Sequence, residues 1–226
     1  MSDSQFIREI DEELRRDRLI KLWEQYGAYI VGAALLIVLA TAAWRGWDWY
    51  QLREGAKAGS RYEAALALAE SGKHAEAEQE FAALAKDATW GYRLLSRLRV
   101  AAETGTRDAA AGAAAFDTIA ADTSVDAAIR DLARVRAAYL LIDTAQAAEI
   151  ASRVEPLIAS VSPYRFSARE VLALARYRAG EREAARTIFA ELAVDPETPA
   201  ALRNRAGIML ALTAAGGDPK PGSATQ

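Results

Sequence analysis

Cysteine is absent from this chain of 226 residues, histidine occurs once, and proline occurs only 6 times. Without cysteine the chain can form no disulfide, no thiolate nucleophile and no cysteine-ligated metal site. Because His74 is the only histidine, a zinc site would need a cluster of carboxylates. The carboxylates instead follow the faces of predicted helices, so we expect no metal and no other cofactor.

The sequence also lacks the motifs on which catalysis usually depends. It contains no glycine-rich phosphate loop, no nucleophile elbow and no paired metal-binding motif. His74 stands at the start of a predicted helix, where a structural role is expected. Glu76 and Glu80 are four residues apart and could face each other across a site, but a solvated helix face is the simpler interpretation. We therefore predict that the protein is not an enzyme and has no small-molecule substrate.

The chain also has no large excess of positive or of negative charge. The chain has a net charge of −3, and from Tyr50 onward it has 22 Lys or Arg residues against 23 Asp or Glu residues. A nucleic-acid-binding domain normally shows a basic surplus, because affinity comes largely from neutralising phosphates. Nucleic acid is therefore not expected as a partner.

One long uncharged stretch, Gln25 to Trp44, dominates the N-terminal part of the chain. A helix needs ~20 mostly apolar residues to cross a bilayer core of about 30 Å, and aromatic residues gather at both interfaces. Aromatic residues border this stretch on both sides: Trp23, Tyr26, Tyr29, Trp44, Trp47, Trp49 and Tyr50. We predict a transmembrane anchor over residues 25–49, held by contact with membrane lipid. A cleaved signal peptide ending near Ala40-Thr41-Ala42 is the alternative, but its preceding segment would be unusually long and acidic.

The segment before the anchor, residues 1–24, has apolar residues at helical intervals among charged ones. Phe6, Ile10 and Leu14 belong to this pattern, which predicts a short amphipathic helix. Basic residues are more frequent just before the anchor than just after it, which favours a cytoplasmic N-terminus and a periplasmic C-terminal domain. These basic residues are Arg15, Arg16, Arg18 and Lys21 before the anchor, and Arg45 and Arg53 after it.

From residue 50 to residue 215 the composition predicts a domain made only of helices. Ala, Leu, Arg and Glu are abundant, and no alternation of β-branched residues marks a strand. Helix breakers divide the region into segments of about 12 to 18 residues, a length typical of helix hairpins. They are Ser71-Gly72, Asp87, Thr104-Gly105, Asp122-Thr123-Ser124, Asp143-Thr144, Ser162-Pro163, Ala179-Gly180 and Asp195-Pro196. Residues 216–226 are rich in Gly, Pro and Ser and are predicted to be disordered.

An internal repeat appears when the chain is aligned with itself at an offset of 108 residues. Each copy has a small residue on a first helix, a Gly turn, and a second helix with Ala and, four residues later, Phe. This pattern is similar to the tetratricopeptide repeat, in which small residues let two helices cross closely beside a bulky ring. The matching residues are Ala65, Gly72, Ala77, Phe81 and Leu84 in the first copy, and Ala173, Gly180, Ala185, Phe189 and Leu192 in the last.

The sequence between these two copies predicts two more hairpins, which gives an α-solenoid of about four. Gly105 with Phe116 and Ile119 suggests the second copy, and Ala127–Leu141 followed by Ala147–Ala159 suggests the third.

Arginine recurs at helical spacing and supplies the candidate binding residues. One interpretation is structural, with the aliphatic stems lying over apolar surface and the guanidinium groups in water or paired to carboxylates. The other is a row of donors on the concave face of the solenoid that binds a peptide. Trp90 and Tyr92 extend this set, since Trp, Tyr and Arg are favoured where proteins dock. The arginines concerned are Arg93, Arg97, Arg130, Arg134, Arg182 and Arg186.

The order of elements along the whole chain resembles the YfgM-type ancillary subunit of the SecYEG translocon. The resemblance rests on a charged leader, two short motifs before the span, one motif after it, and the repeats that follow. The leader and motifs are Glu9–Arg18, Lys21-Leu22-Trp23, Tyr26-Gly27 and Trp44-Arg45-Gly46-Trp47. The resemblance implies a single-pass protein of the bacterial inner membrane. It also implies a periplasmic repeat domain that meets exported chains near the translocon, alongside periplasmic chaperones.

Two other functions are compatible with parts of the sequence. The same fold facing the cytoplasm would be a membrane scaffold that recruits soluble proteins through its repeats. A membrane-bound hydrolase that uses only carboxylates would need a buried Asp–Glu pair in a pocket, and the sequence offers no candidate pair.

Overall fold

The computed structural model describes the backbone of residues 3–215, and the side chains of Trp23 and of residues 25–213. Within that range the chain forms nine α-helices and no strand, which confirms the all-α prediction. The predicted tail, residues 216–226, and the side chains of the predicted amphipathic segment lie outside the described residues. The helices are α1 (Asp3–Glu70), α2 (His74–Asp87), α3 (Trp90–Arg107), α4 (Ala109–Ala121), α5 (Ala127–Leu141), α6 (Ala147–Ile158), α7 (Arg165–Arg178), α8 (Arg182–Val194) and α9 (Ala200–Ala215).

Helix α1 contributes to two compact units, one that ends at Ala56 and one that begins at Lys57. In the first unit the helix is apolar and exposed from Ile30 to Ala43, and by length and composition it is able to cross a membrane. The helix continues without a break through residues 24–25 and 49–50. The domain boundaries placed there therefore mark changes in composition and stay predictions.

The seven aromatic residues at the borders of the apolar stretch all have exposed side chains, from 47% for Tyr26 to 77% for Trp44. Near the second border the Arg53 guanidinium lies over the Trp49 ring, 5.2 Å from its centroid. Tyr and Trp rings have an apolar body and a polar tip, so they can contact lipid and water at the same time, as a side chain at a bilayer interface does.

The second unit is built from helix hairpins, and glycine forms the turn in the first and the last. Gly72 and Gly180 adopt positive φ angles of 79° and 84°. In both turns the amide of the next residue donates to a carbonyl five positions earlier, at 2.9 Å, from Lys73 to Leu68 and from Glu181 to Arg176. A left-handed residue with this hydrogen bond is a Schellman helix end, and glycine adopts it without the strain of a Cβ. These turns join residues 57–70 to α2, and α7 to α8.

Small residues and single rings fill the interior of both outer hairpins. All eight non-glycine residues of the repeat pattern are completely buried: Ala65, Ala77, Phe81, Leu84, Ala173, Ala185, Phe189 and Leu192. Phe81 meets the Tyr62 ring edge-on at 5.3 Å between centroids. The central hairpins, α3 with α4 and α5 with α6, share one larger core that includes Phe116, Ile119 and Ile150. Helix α9 follows the fourth hairpin and packs on α8.

The predicted break at Thr104-Gly105 is wrong, because α3 continues to Arg107 and the chain turns at Asp108. Asp108 caps α4 by accepting a hydrogen bond from the Ala111 amide at 2.9 Å. The two glycines near this turn serve close packing instead. A Cβ added to Gly112 would lie 2.4 Å from the Cα of Gly105 and 2.9 Å from the Ala101 carbonyl oxygen. A Cβ added to Gly105 would lie 2.7 Å from Cδ1 of Leu140 on α5, so close packing and not a helix end accounts for this glycine.

A buried carboxylate connects three helices near the C-terminal end. Glu170 on α7 is 4% exposed. It accepts hydrogen bonds from the Tyr139 hydroxyl at 2.6 Å and from Arg205 Nε and Nη2 at 2.7 and 2.8 Å. Burial, with the hydrogen bond to Glu170, raises the pKa of Tyr139 above its ordinary value, so the phenol stays a neutral donor. This network ties α9 to α7 and α5.

We predict opposite effects for the same substitution at two glycines. Gly112→Ala should lower the free energy of unfolding by about 1–3 kcal/mol, because the new methyl group meets backbone that cannot move aside. Gly207→Ala on α9 faces open space and should raise it by roughly 0.5–1 kcal/mol through helix propensity. Urea unfolding of the full chain in detergent, followed by circular dichroism, measures both. Equal effects at the two sites would contradict the close approach of α3 and α4.

Removing the exposed partner of Glu170 should also be costly. Arg205→Ala leaves a buried carboxylate with Tyr139 as its remaining partner, and we expect a loss of about 1–3 kcal/mol. Arg186→Ala, an exposed arginine on α8, is the matched control and should change the free energy of unfolding by less than about 0.5 kcal/mol. The same urea titration compares them, and similar losses in the two variants would argue against the network.

Candidate protein-binding surface

Three of the predicted binding residues lie together at the start of α3. Trp90 is its first residue and remains 60% exposed, and Arg93 and Arg97 follow. All three line one cavity of about 240 Å³, together with Ala85, Leu94, Ser124 and Val125. An indole left in solvent beside two guanidinium groups has the composition of protein-binding hot spots. This cavity is the candidate binding surface that the structure supports best.

Arg97 is held in place by the turn between α4 and α5. Its Nη1 donates to the Asp122 carboxylate at 2.7 Å. Asp122 also accepts hydrogen bonds from the Ser124 hydroxyl at 2.6 Å and the Ser124 amide at 3.1 Å. The Ser124 hydroxyl and then Arg97 lower the pKa of Asp122 to about 2, so the carboxylate is ionised at neutral pH. Asp122 thus fixes both the turn and one guanidinium of the surface.

Arg93 differs from Arg97 in having no side-chain partner among the described residues. Its amide takes part in the helix by donating to the Thr89 carbonyl at 2.9 Å, and its side chain is exposed. An unpaired guanidinium keeps all five of its donors available. Arg93 is consequently the residue of this set best placed to meet a ligand.

A second cavity of about 330 Å³ adjoins the first one and shares Ala85 and Arg97 with it. We call the two together the α2–α4 groove, because its walls come from α2, α3, α4 and the turn after α4. The residues that line only the second cavity are Ala82, Lys86, Val100, Ala115, Thr118 and Ile119. Sequence reasoning missed these residues, since alanine and valine on helix faces are expected in a core. The only available signal was the run of small residues that leaves this space open.

The remaining predicted binding residues lie elsewhere. The Tyr92 ring is half-buried, 5.8 Å from the Tyr62 ring between centroids. Arg134 donates to Asp131 at 3.4 Å and lines a different cavity, beside the pair of Arg153 with Asp117. Arg130 is half-buried on α5, and Arg182 and Arg186 are exposed on α8. The structure therefore gathers Trp90, Arg93 and Arg97 into one site and spreads the other five over the domain.

The residues considered for chemistry have structural partners. His74 Nδ1 lies 2.7 Å from Oε2 of Glu103, a carboxylate that is 5% exposed, and this pair joins α2 to α3. Glu76 and Glu80 are exposed, and each lies 3.9 Å from a basic group, on Lys73 and Arg61 respectively. No group of three or more metal-ligating side chains occurs in the part of the chain that the structure describes.

Comparison with protein families gives one match. Residues 21–190 match the model described as a tetratricopeptide repeat-like domain. The matched segment covers the apolar stretch, the first three hairpins and the fourth as far as residue 190 within α8, but not α9. No curated protein and no solved structure shows a significant match to the chain.

The low pKa of Asp122 predicts a pH-dependent contribution to stability. A depressed pKa means that the contribution is present above the ordinary value of 3.8 and is lost as pH falls towards about 2. The difference in urea midpoint between the wild type and Asp122→Asn should therefore shrink between pH 5 and pH 2. Ser124→Ala removes the main hydrogen bond and should move this loss to higher pH. A difference that stays constant over this range would contradict the assignment.

Proposed function

We propose that this chain, which belongs to the tetratricopeptide repeat-like domain family, is a membrane-anchored protein-binding subunit. We further propose that it is ancillary to the Sec translocon of the bacterial inner membrane. The observation that carries this proposal is the combination, within the described residues, of one long apolar helix and a domain of four repeat-like hairpins. Stacked hairpins of this kind present extended surfaces to other proteins rather than enclosed catalytic pockets.

The family match supports the order of elements as well as the repeats. It begins at Lys21, just before the apolar stretch, so the matched segment includes that stretch. The short motifs around the anchor resemble those of YfgM-type translocon subunits, which place the repeat domain in the periplasm. Exported chains and periplasmic chaperones are the partners that this resemblance implies.

The proposed mechanism is capture by proximity. A surface that binds weakly in solution is often occupied when it is tethered beside the point where its ligand emerges from the membrane. Tethering then gives an effective concentration of the ligand on the order of millimolar. A micromolar dissociation constant is then sufficient, and the ligand still leaves quickly. Such transient binding would protect an emerging chain from aggregation without retaining it.

The absence of cysteine allows a direct test of membrane orientation. Val161→Cys places a single thiol in the loop after α6, at a side chain that is 99% exposed, and Ser4→Cys places one before the anchor. In spheroplasts, a membrane-impermeant maleimide should label Val161→Cys and not Ser4→Cys. In inverted inner-membrane vesicles the pattern should reverse. Labelling of Ser4→Cys alone in spheroplasts would place the repeats in the cytoplasm and favour the scaffold function instead.

Association with the translocon is tested separately with purified components. The full chain, solubilised in mild detergent, should co-elute with purified SecYEG in size-exclusion chromatography. The matched control is a chain in which residues 25–49 are replaced by a poly-leucine span, with the repeats unchanged. Failure of the wild type to co-elute, with the periplasmic orientation established, would remove the translocon from the proposal and leave a membrane-bound protein-binding domain.

A further inference from the structure

The α2–α4 groove combines an apolar cavity with a set of cations, and we propose that it binds acidic peptide segments that carry a large apolar side chain. This inference rests on the protein-binding function proposed above and specifies the chemistry of the partner. It concerns a groove whose second cavity is lined by residues outside the predicted set, with Arg97 the exception.

The second cavity supplies the apolar half of the recognition. Its floor and walls are mainly hydrocarbon, from Ala82, Val100, Ala115 and Ile119. Its volume of about 330 Å³ is at the lower end of the ~300–1,000 Å³ found for small-molecule sites. That space admits one large side chain, such as Leu or Phe, but not a folded element. Burying one such side chain favours binding but supplies only a modest part of the free energy that a long-lived complex needs, which suits a transient ligand.

The charges lining the groove all have one sign. Lys86, Arg93 and Arg97 line it, and no Asp or Glu is among the described residues that do. This bias is local, since the whole chain has a net charge of −3. The two other described cavities each contain at least one carboxylate, Glu181 in one and Asp117 in the other. The groove should therefore favour a segment bearing carboxylates next to its apolar residue and disfavour a basic segment.

Two of the three cations are available to such a ligand. Among the described residues neither the Lys86 ammonium nor the Arg93 guanidinium has an ion-pair partner, whereas Arg97 is oriented by Asp122. Asp87 is exposed beside Lys86 in the sequence but does not line the groove. At the other end the exposed Trp90 ring offers a flat apolar contact near Arg93. A ligand can thus place its apolar side chain in the second cavity and its carboxylates on Lys86 and Arg93.

Three synthetic peptides test this preference by fluorescence anisotropy on the full chain in phosphatidylcholine nanodiscs. The first is a 12-residue Gly/Ser peptide with Phe flanked by two Asp residues. In the second the Asp residues become Asn, and in the third Phe becomes Ser. The first peptide should bind at least 10-fold more tightly than either of the others. Equal binding of all three, or tighter binding of the neutral one, would overturn the proposal.

Charge reversal on the protein identifies the site. Lys86→Glu and Arg93→Glu should each weaken binding of the first peptide at least 10-fold, since both side chains are exposed and their loss leaves the core intact. Arg186→Glu on α8 makes the same change in net charge and should leave binding unchanged within 2-fold. Circular dichroism of each variant checks that the helices are retained. Equal weakening in all three variants would show a non-specific charge effect and overturn the groove assignment.

The remaining outcomes separate this inference from the proposed function. If no peptide binds but the chain still co-elutes with SecYEG, the groove proposal fails and the translocon function stands. If neither binding is observed, the groove proposal and the translocon assignment both fail. Binding of phosphatidylglycerol vesicles in place of the peptide, abolished by Arg93→Glu, would assign the groove to lipid phosphate and overturn the peptide proposal.

Discussion

Close approach of helices through alanine and glycine is the constraint on which the repeat domain depends. Ala65 and Ala77 in the first hairpin, and Ala173 and Ala185 in the last, are completely buried where two helices cross. At Gly112 the approach leaves no room even for a methyl group. Helices this close leave one large gap in each outer hairpin, which a phenylalanine ring fills. Small residues on the surface of the domain also leave space between helices. The α2–α4 groove is one example, because three alanines line its second cavity.

Polar contacts between helices account for many of the arginines. Arg97, Arg153 and Arg205 each bind a carboxylate on another helix or turn, and Arg178 donates to the Ile142 and Ala145 carbonyls at 2.6 and 3.3 Å. The structural interpretation of the arginines therefore holds for many of them. A functional candidate is an arginine without such a contact, close to an exposed aromatic ring. Within the repeat domain this criterion selects Arg93, and the neighbouring Arg97 is oriented by its hydrogen bond to Asp122.

The sequence predicts what local chemistry determines and misses what depends on distant contacts. Glycine turns at 72 and 180 and the repeat spacing were readable, because each has a signature within a few residues. Gly105 was misread because a glycine that breaks a helix and one required by close packing are identical in sequence, and only its contacts with Gly112 and Leu140 distinguish them. The groove could not be predicted for the same reason. Its cations lie on two helices, and the pairing of Arg97 with Asp122 spans 25 residues.

Anchoring to a membrane and a shallow groove are mutually consistent features of the proposed function. The groove has room for one apolar side chain and contains two cations that have no ion-pair partner among the described residues, so its affinity for any single segment must be modest. A free protein with such a surface would rarely be occupied. In the proposed function a membrane anchor would change this, because it would confine the surface to the plane where exported chains emerge and raise their effective concentration without adding any contact. Recognition by one apolar residue and adjacent carboxylates is also undemanding in sequence, which suits a protein that must meet many different chains and release each of them.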